Sequence, residues 1–168
     1  MISPLQPIVV IGVGNACRGD DAAGLMVVRR LEQEHLPQVE ICENLGTAGA
    51  VADAWKDASW VIVVDAVVSG GSPGTIYRIN AHDPAAIFPV FRSPSTHGWG
   101  VAEALALGHL FQKLPSTLII YGIEGEIFIH GEGLSPAVAA AIPEAARRIK
   151  QEIQDWRSHN HQSGEKAK

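Results

Sequence analysis

A chain of 168 residues, 46% hydrophobic and 18% charged, is the size of one domain and buries roughly 70% of its unfolded surface. Its net charge of -5, with no basic block outside a short C-terminal tail, argues against nucleic acid and against an anionic membrane surface as the main partner. The two cysteines, Cys17 and Cys42, stand in no metal or redox spacing, and unpaired thiols suit a cytoplasm. The opening MISPLQP lacks a signal-peptide pattern, and no run is apolar for long enough to span a bilayer.

In chain order, Ile8–Val13 reads as a fully buried strand and runs into a glycine turn, then Asp20 and Asp21, then a helix from about Ala22 to His35. Gly12 and Gly14 allow a tight turn. Aspartates suit a helix start, as caps and as charges facing the dipole. Two carboxylates would repel the pyrophosphate that a dinucleotide loop receives there, so the loop is read as presenting carboxylates to something cationic. Val39–Glu43 alternates as a shorter strand, followed by a helix over Ala48–Lys56. Trp60–Val68 is an apolar run interrupted only by Asp65. Thr75–Ile79 follows a Ser72-Pro73-Gly74 turn, and Gly70 and Gly71 before it suggest a mobile loop. A helix over Trp99–Gln112, with Val101, Leu105, Leu107 and Leu110 as a core stripe, precedes a buried strand at Thr117–Ile123. Ser135 and Pro136 open a last helix to about Trp156, which Pro143 should kink or split. This alternation predicts an α/β fold, a three-layer α/β/α sandwich around a twisted, mostly parallel five-stranded sheet. One domain covers residues 1–157, and residues 158–168 form a polar, fraying tail.

Ligands of open parallel sheets gather outside the carboxyl ends of the strands. Asp21 follows the first strand, Asp65 ends the WVIVVD run, and His97 precedes a helix. Two carboxylates and an imidazole suit a borderline divalent metal with open positions, or an acid–base site. Each also has a plainer use: Asp21 as a cap, Asp65 as a turn residue, His97 as a surface histidine. Cys17 as a nucleophile would need a base such as His97. The glycines of GVGNACRG are out of step with a dinucleotide fingerprint, and no phosphate loop follows. His159 and His161 look like solvated tail residues, and His82 and His109 like surface residues.

The segments GVGNACRGDDAAG, GTAG at Gly46–Gly49, VVDAVVSGGSPGT, STHGWGVAEAL and GEGLSPAVAAAIP occur in series. In that order they resemble the hydrogenase maturation endopeptidases, which finish the large subunit of nickel–iron hydrogenases. The resemblance spans roughly residues 7 to 150. It implies the same three-layer fold and a peptidase that removes the C-terminal extension of the large-subunit precursor. It implies that Asp21, Asp65 and His97 engage nickel carried by that precursor, and that catalysis falls to the same three. It also implies substrate contacts at Gly12, Gly14, Asn15, Gly46 and Thr47. Asp21 stands where many relatives carry Glu, and Glu43 and Asn44 stand near an acidic position of the relatives. The same trio would serve a non-catalytic chaperone that recognises the nickel centre of the precursor. Nothing in the chain requires more than a monomer.

Overall fold

The computed structural model describes residues 7–44, 47–87 and 98–165. Five strands form one sheet in the order β2-β1-β3-β5-β4: β1 Ile8–Val13, β2 Val39–Asn44, β3 Trp60–Val67, β4 Ile76–Asn80 and β5 Thr117–Glu124. The first three and β5 pair in parallel, and β4 lies antiparallel on the edge. The antiparallel edge follows from the short connection between β3 and β4, because a parallel pair needs a crossover of a dozen residues or more. The strand reading therefore holds, with boundaries moved by no more than a residue.

Side chains alternate across the sheet and build two cores. On one face, Ile8, Val10, Ile62, Val64, Ile119 and Ile123 meet α1 (Ala23–Glu32) and α5 (Pro136–Glu165). On the other, Val9, Ile11, Val61, Val63, Leu118 and Ile120 meet α2 (Ala48–Ala54) and α4 (Gly98–Leu110). The central strands β1 and β3 are buried along their whole length, as strands covered on both faces must be. A one-turn helix that the sequence reading missed, α3 at Pro84–Ile87, follows β4.

Several details depart from the sequence reading. A 3-10 turn, Gly19–Ala22, precedes α1, and both aspartates lie within it; neither the turn nor α1 has a side-chain cap. Helix α1 stops at Glu32, and His35 adopts a left-handed φ of 49° before Pro37. On α4 only the Val101 and Leu105 part of the stripe is buried; Leu107 is 40% and Leu110 is 73% exposed. Residues four apart share a helix face, and 107 and 110 fall off the face that 101 and 105 define. Helix α5 is not split at Pro143, and its assigned helix continues past Ser158 to Glu165. Packing explains the first of these. Pro143 removes one backbone hydrogen bond, while Val138, Ala141, Ala145, Ala146 and Ile149 around it sit in the core. Farther along, Trp156 stacks on Trp60 at 4.9 Å between ring centroids.

Among the described residues, no helix is long and apolar enough to cross a membrane.

Candidate active site

The chain leaves β1 toward β2 on one side and returns to β3 on the other, so the strand order reverses between β1 and β3. Loops diverge at such a point and leave a crevice at the carboxyl edge. Asp21 and Asp65 both belong to this crevice. The 3-10 turn carries Asp21, and glycines let it approach the sheet. A Cβ on Gly24 would collide with the carbonyl oxygens of Val13 and Val64. One on Gly14, whose φ is +144°, would collide with the Asp21 carbonyl. Asn15 donates its backbone N–H to that carbonyl at 3.3 Å and accepts the Cys17 N–H on its side chain at 2.9 Å. Gly12 has its own packing duty, because a Cβ there would strike Val28 and Gly24.

Asp65 lies two residues before the end of β3, opposite Gly122 of β5. It is 1% exposed and Asp21 is 4% exposed. The Oδ2 oxygen of Asp65 is buried and accepts no hydrogen bond among the described residues. Burial, reinforced by the neighbouring Asp21 charge, pushes the Asp65 carboxyl well above the ordinary carboxylate range, against one lowering hydrogen bond from the Ala66 backbone. Such a carboxyl keeps its proton to a higher pH than an exposed aspartate does. By strand parity Asp65 sits on the face of Val61, Val63 and Val67, the face covered by α4. His97, the third expected ligand, lies outside the described residues, as does Gly46; the helix that follows His97 begins at Gly98. The far end of α4, at Leu107 and Gly108, shares a groove with Ala58 and Pro115, which precede β3 and β5. Helix α4 therefore runs against the strands and starts at the carboxyl edge. Among the described residues, no group of three or more His, Cys, Asp or Glu is placed to hold a metal.

Asp20 has a different task from the one the sequence suggested. Its carboxylate turns into the protein and accepts the backbone N–H groups of Glu126 at 2.9 Å, Ile127 at 3.0 Å and Ser135 at 2.6 Å. Burial opposes its ionisation, yet these donors prevail and hold it below the ordinary range. Asp20 thus ties the loop after β5 to the 3-10 turn rather than facing outward. Thr47 is the N-cap of α2, its hydroxyl accepting the Ala50 N–H at 3.4 Å. Glu43 forms a surface ion pair with Arg29 at 2.6 Å. Cys17 is exposed and unpaired in any disulfide.

Sequence reasoning passed over Glu124, a buried acid at the end of β5. Its Oε1 accepts the N–H groups of Ser69 at 2.8 Å and Gly70 at 2.9 Å, and its Oε2 accepts the Ser69 hydroxyl at 2.6 Å. The loop after β3 is therefore held at its base, where its glycines had suggested mobility. The available signal was an acid closing an apolar run, the feature that singled out Asp65.

Comparison with known proteins agrees with this architecture. Residues 25–152 match the family model of the hydrogenase maturation proteases. The hydrogenase 2 maturation protease of Escherichia coli is 34% identical over 146 residues, covering 84% of this chain and 87% of that protein. A putative hydrogenase maturation protease of Methanocaldococcus jannaschii is 33% identical, covering 88% of this chain and 97% of its own length. The structure of the hydrogenase maturating endopeptidase HybD from E. coli superposes with a TM-score of 0.77 at 26% identity, covering 89% of this chain and 93% of that one. With the fold, the switch-point crevice and these likenesses in agreement, the chain belongs to the hydrogenase maturation proteases and is a peptidase.

Proposed function

We propose that this peptidase removes the C-terminal extension from the nickel-loaded precursor of a nickel–iron hydrogenase large subunit, and that Asp21, Asp65 and His97 engage the nickel that the precursor carries. The observation that supports this most is the buried Asp65 oxygen with no hydrogen-bond donor among the described residues, beside the Asp21 carboxylate. Leaving such an oxygen bare is costly unless the site meets a cation. Carboxylate oxygens with one imidazole form a mixed donor set that a borderline divalent metal accepts. Both acids belong to the chain, while the metal arrives with the substrate. Binding then depends on whether the precursor has been loaded.

The same pair gives the chemistry its proton logic. Asp65 holds its proton while the crevice is empty of cations and gives it up as nickel enters, so recognition strengthens as pH rises. Nickel held there would polarise the scissile carbonyl or acidify an attacking water. Asp21 or Asp65 would accept that water's proton. Gly14, Asn15 and Thr47 stand on the loops after β1 and β2 at the same edge, where an extended peptide would pass.

The test is cleavage of the co-expressed large-subunit precursor, followed by intact mass, with and without nickel. The expected outcome is loss of a C-terminal peptide from the nickel-loaded sample alone, and no loss with Asp65→Ala. Cleavage regardless of nickel would remove the metal-gated part of the proposal; no cleavage in either sample would remove the whole.

A further inference from the structure

We propose that Glu124 is a positioning residue for this cleavage: it fixes the loop of residues 68–75 in the shape that receives the precursor's C-terminal segment. The inference rests on the cleavage reading for its substrate, and on geometry for the rest. In the β3–β5 register Asp65 pairs with Gly122 and Val67 with Glu124. Side chains alternate along a strand, so Glu124 lies on the sheet face of Asp65, one diagonal step away. Gly122, directly beside Asp65, contributes no side chain. Glu124 and Ile120 are thus the two neighbouring side chains that β5 presents on that face, and Glu124 is the polar one.

Its hydrogen bonds all lead to one segment. Three side-chain bonds reach Ser69 and Gly70. The Glu124 backbone N–H donates to the Thr75 carbonyl at 2.9 Å, and its carbonyl accepts the Gly74 N–H at 2.7 Å. One residue therefore grips the loop at both ends. Tyr77, from the edge strand, adds a contact of 3.1 Å between its hydroxyl and that of Ser69. The loop is shaped around this grip: Gly70 adopts a φ of +92°, and a Cβ on Gly71 would strike the Tyr77 hydroxyl. A 2%-exposed acid at the end of an apolar strand is expensive to bury. A valine, as at its partner Val67, would fill the space at lower cost. The acid is explained by what it holds, and what it holds begins three residues after Asp65 with its tip, residues 70–73, exposed.

The test uses the whole chain and the nickel-loaded precursor. Steady-state cleavage is followed by mass for the wild type, Glu124→Gln and Glu124→Ala, and hydrogen exchange is followed across residues 68–75. Glu124→Ala is expected to raise KM about tenfold or more while kcat changes by less than about threefold. It should also speed exchange of the Ser69 and Gly70 amides by about tenfold or more. Glu124→Gln keeps an oxygen that accepts both N–H groups and is expected to recover most of the KM. Should Glu124→Ala fail to fold, Gly71→Ala displaces the same loop from the Tyr77 side and is expected to give the same KM-selective loss. An unchanged KM, unchanged amide exchange, or a Gln variant as impaired as the Ala variant would overturn the assignment. A wild type that leaves the precursor uncut sinks the cleavage reading instead, and the exchange experiment still decides whether Glu124 sets the loop.

Discussion

Asp65 is under electrostatic tension from burial and from the Asp21 charge. It is buried, it faces Asp21, and its Oδ2 has no donor among the described residues. A carboxyl whose folded pKa is raised adds no penalty at pH values below its unfolded pKa near 3.9. Above that value the unfolded chain releases the proton and the folded chain keeps it, so stability falls as pH rises until the folded pKa is passed. Asp65→Asn removes this dependence while keeping the shape of the side chain. Thermal unfolding from pH 4 to pH 8 should therefore show the variant gaining on the wild type as pH rises. The gain should grow steadily across that range. Cleavage should be lost at every pH. A parallel pair of melting curves would refute the tension. Asp20 shows the opposite balance. Its three backbone donors keep it ionised, and its contribution to stability is present above the unfolded pKa and lost as pH falls through the lowered one. The sequence could not separate the two aspartates, because both occupy one short turn and what distinguishes them lies over a hundred residues away, at Glu126, Ile127 and Ser135.

At the level of elements, the strands were legible because burial on both faces demands continuous apolar runs, and Ile8–Val13, Trp60–Val67 and Thr117–Glu124 are such runs. Helix ends were less so. Residues 33–35 keep a helical composition after α1 has stopped, and Pro143 looked like a break. The long α5 is held from outside itself. Glu152 accepts two bonds from Arg78 on β4, at 2.9 Å and 2.6 Å, and one from the Tyr121 hydroxyl on β5, at 2.6 Å. Lys150 bonds Glu34, and Arg157 bonds the Pro37 carbonyl. Tertiary packing thus overrides a local penalty that a proline in a helix interior sets at about 3 kcal/mol. Pro143 is exposed, so Pro143→Ala should recover part of that cost, roughly 1–3 kcal/mol. It would be seen as a higher urea midpoint with cleavage unchanged. A lower midpoint would show that the proline fits its turn without strain.

The whole molecule is a sheet with one core on each face and a site on the edge where the chain changes direction. This level was the most readable, since alternation of strand and helix fixes the layers, and the switch point then fixes where acids can meet. Because every central strand contributes to both cores, the two should fail together. Leu31→Ala in the α1 core and Leu105→Ala in the α4 core should each lower stability by about 2–5 kcal/mol. Each variant should still unfold in a single transition, coincident by circular dichroism and tryptophan fluorescence. Two separated transitions in either variant would mean that the layers are independent.

The adjacent aspartates also divide the chain into what can be exchanged and what cannot. Asp20 fills its place to within hydrogen-bond distance of three amides, at 2.6 to 3.0 Å. A side chain longer by one methylene would have to push the 126–135 segment outward. Asp21 meets none of those three amides, and under the proposed role a longer carboxylate there would only shift where the precursor's metal sits. One position is a rivet and the next is an adjustable jaw. If Asp21 engages the precursor as proposed, a lineage of such proteases would retune its grip at position 21 while position 20 stays the same acid.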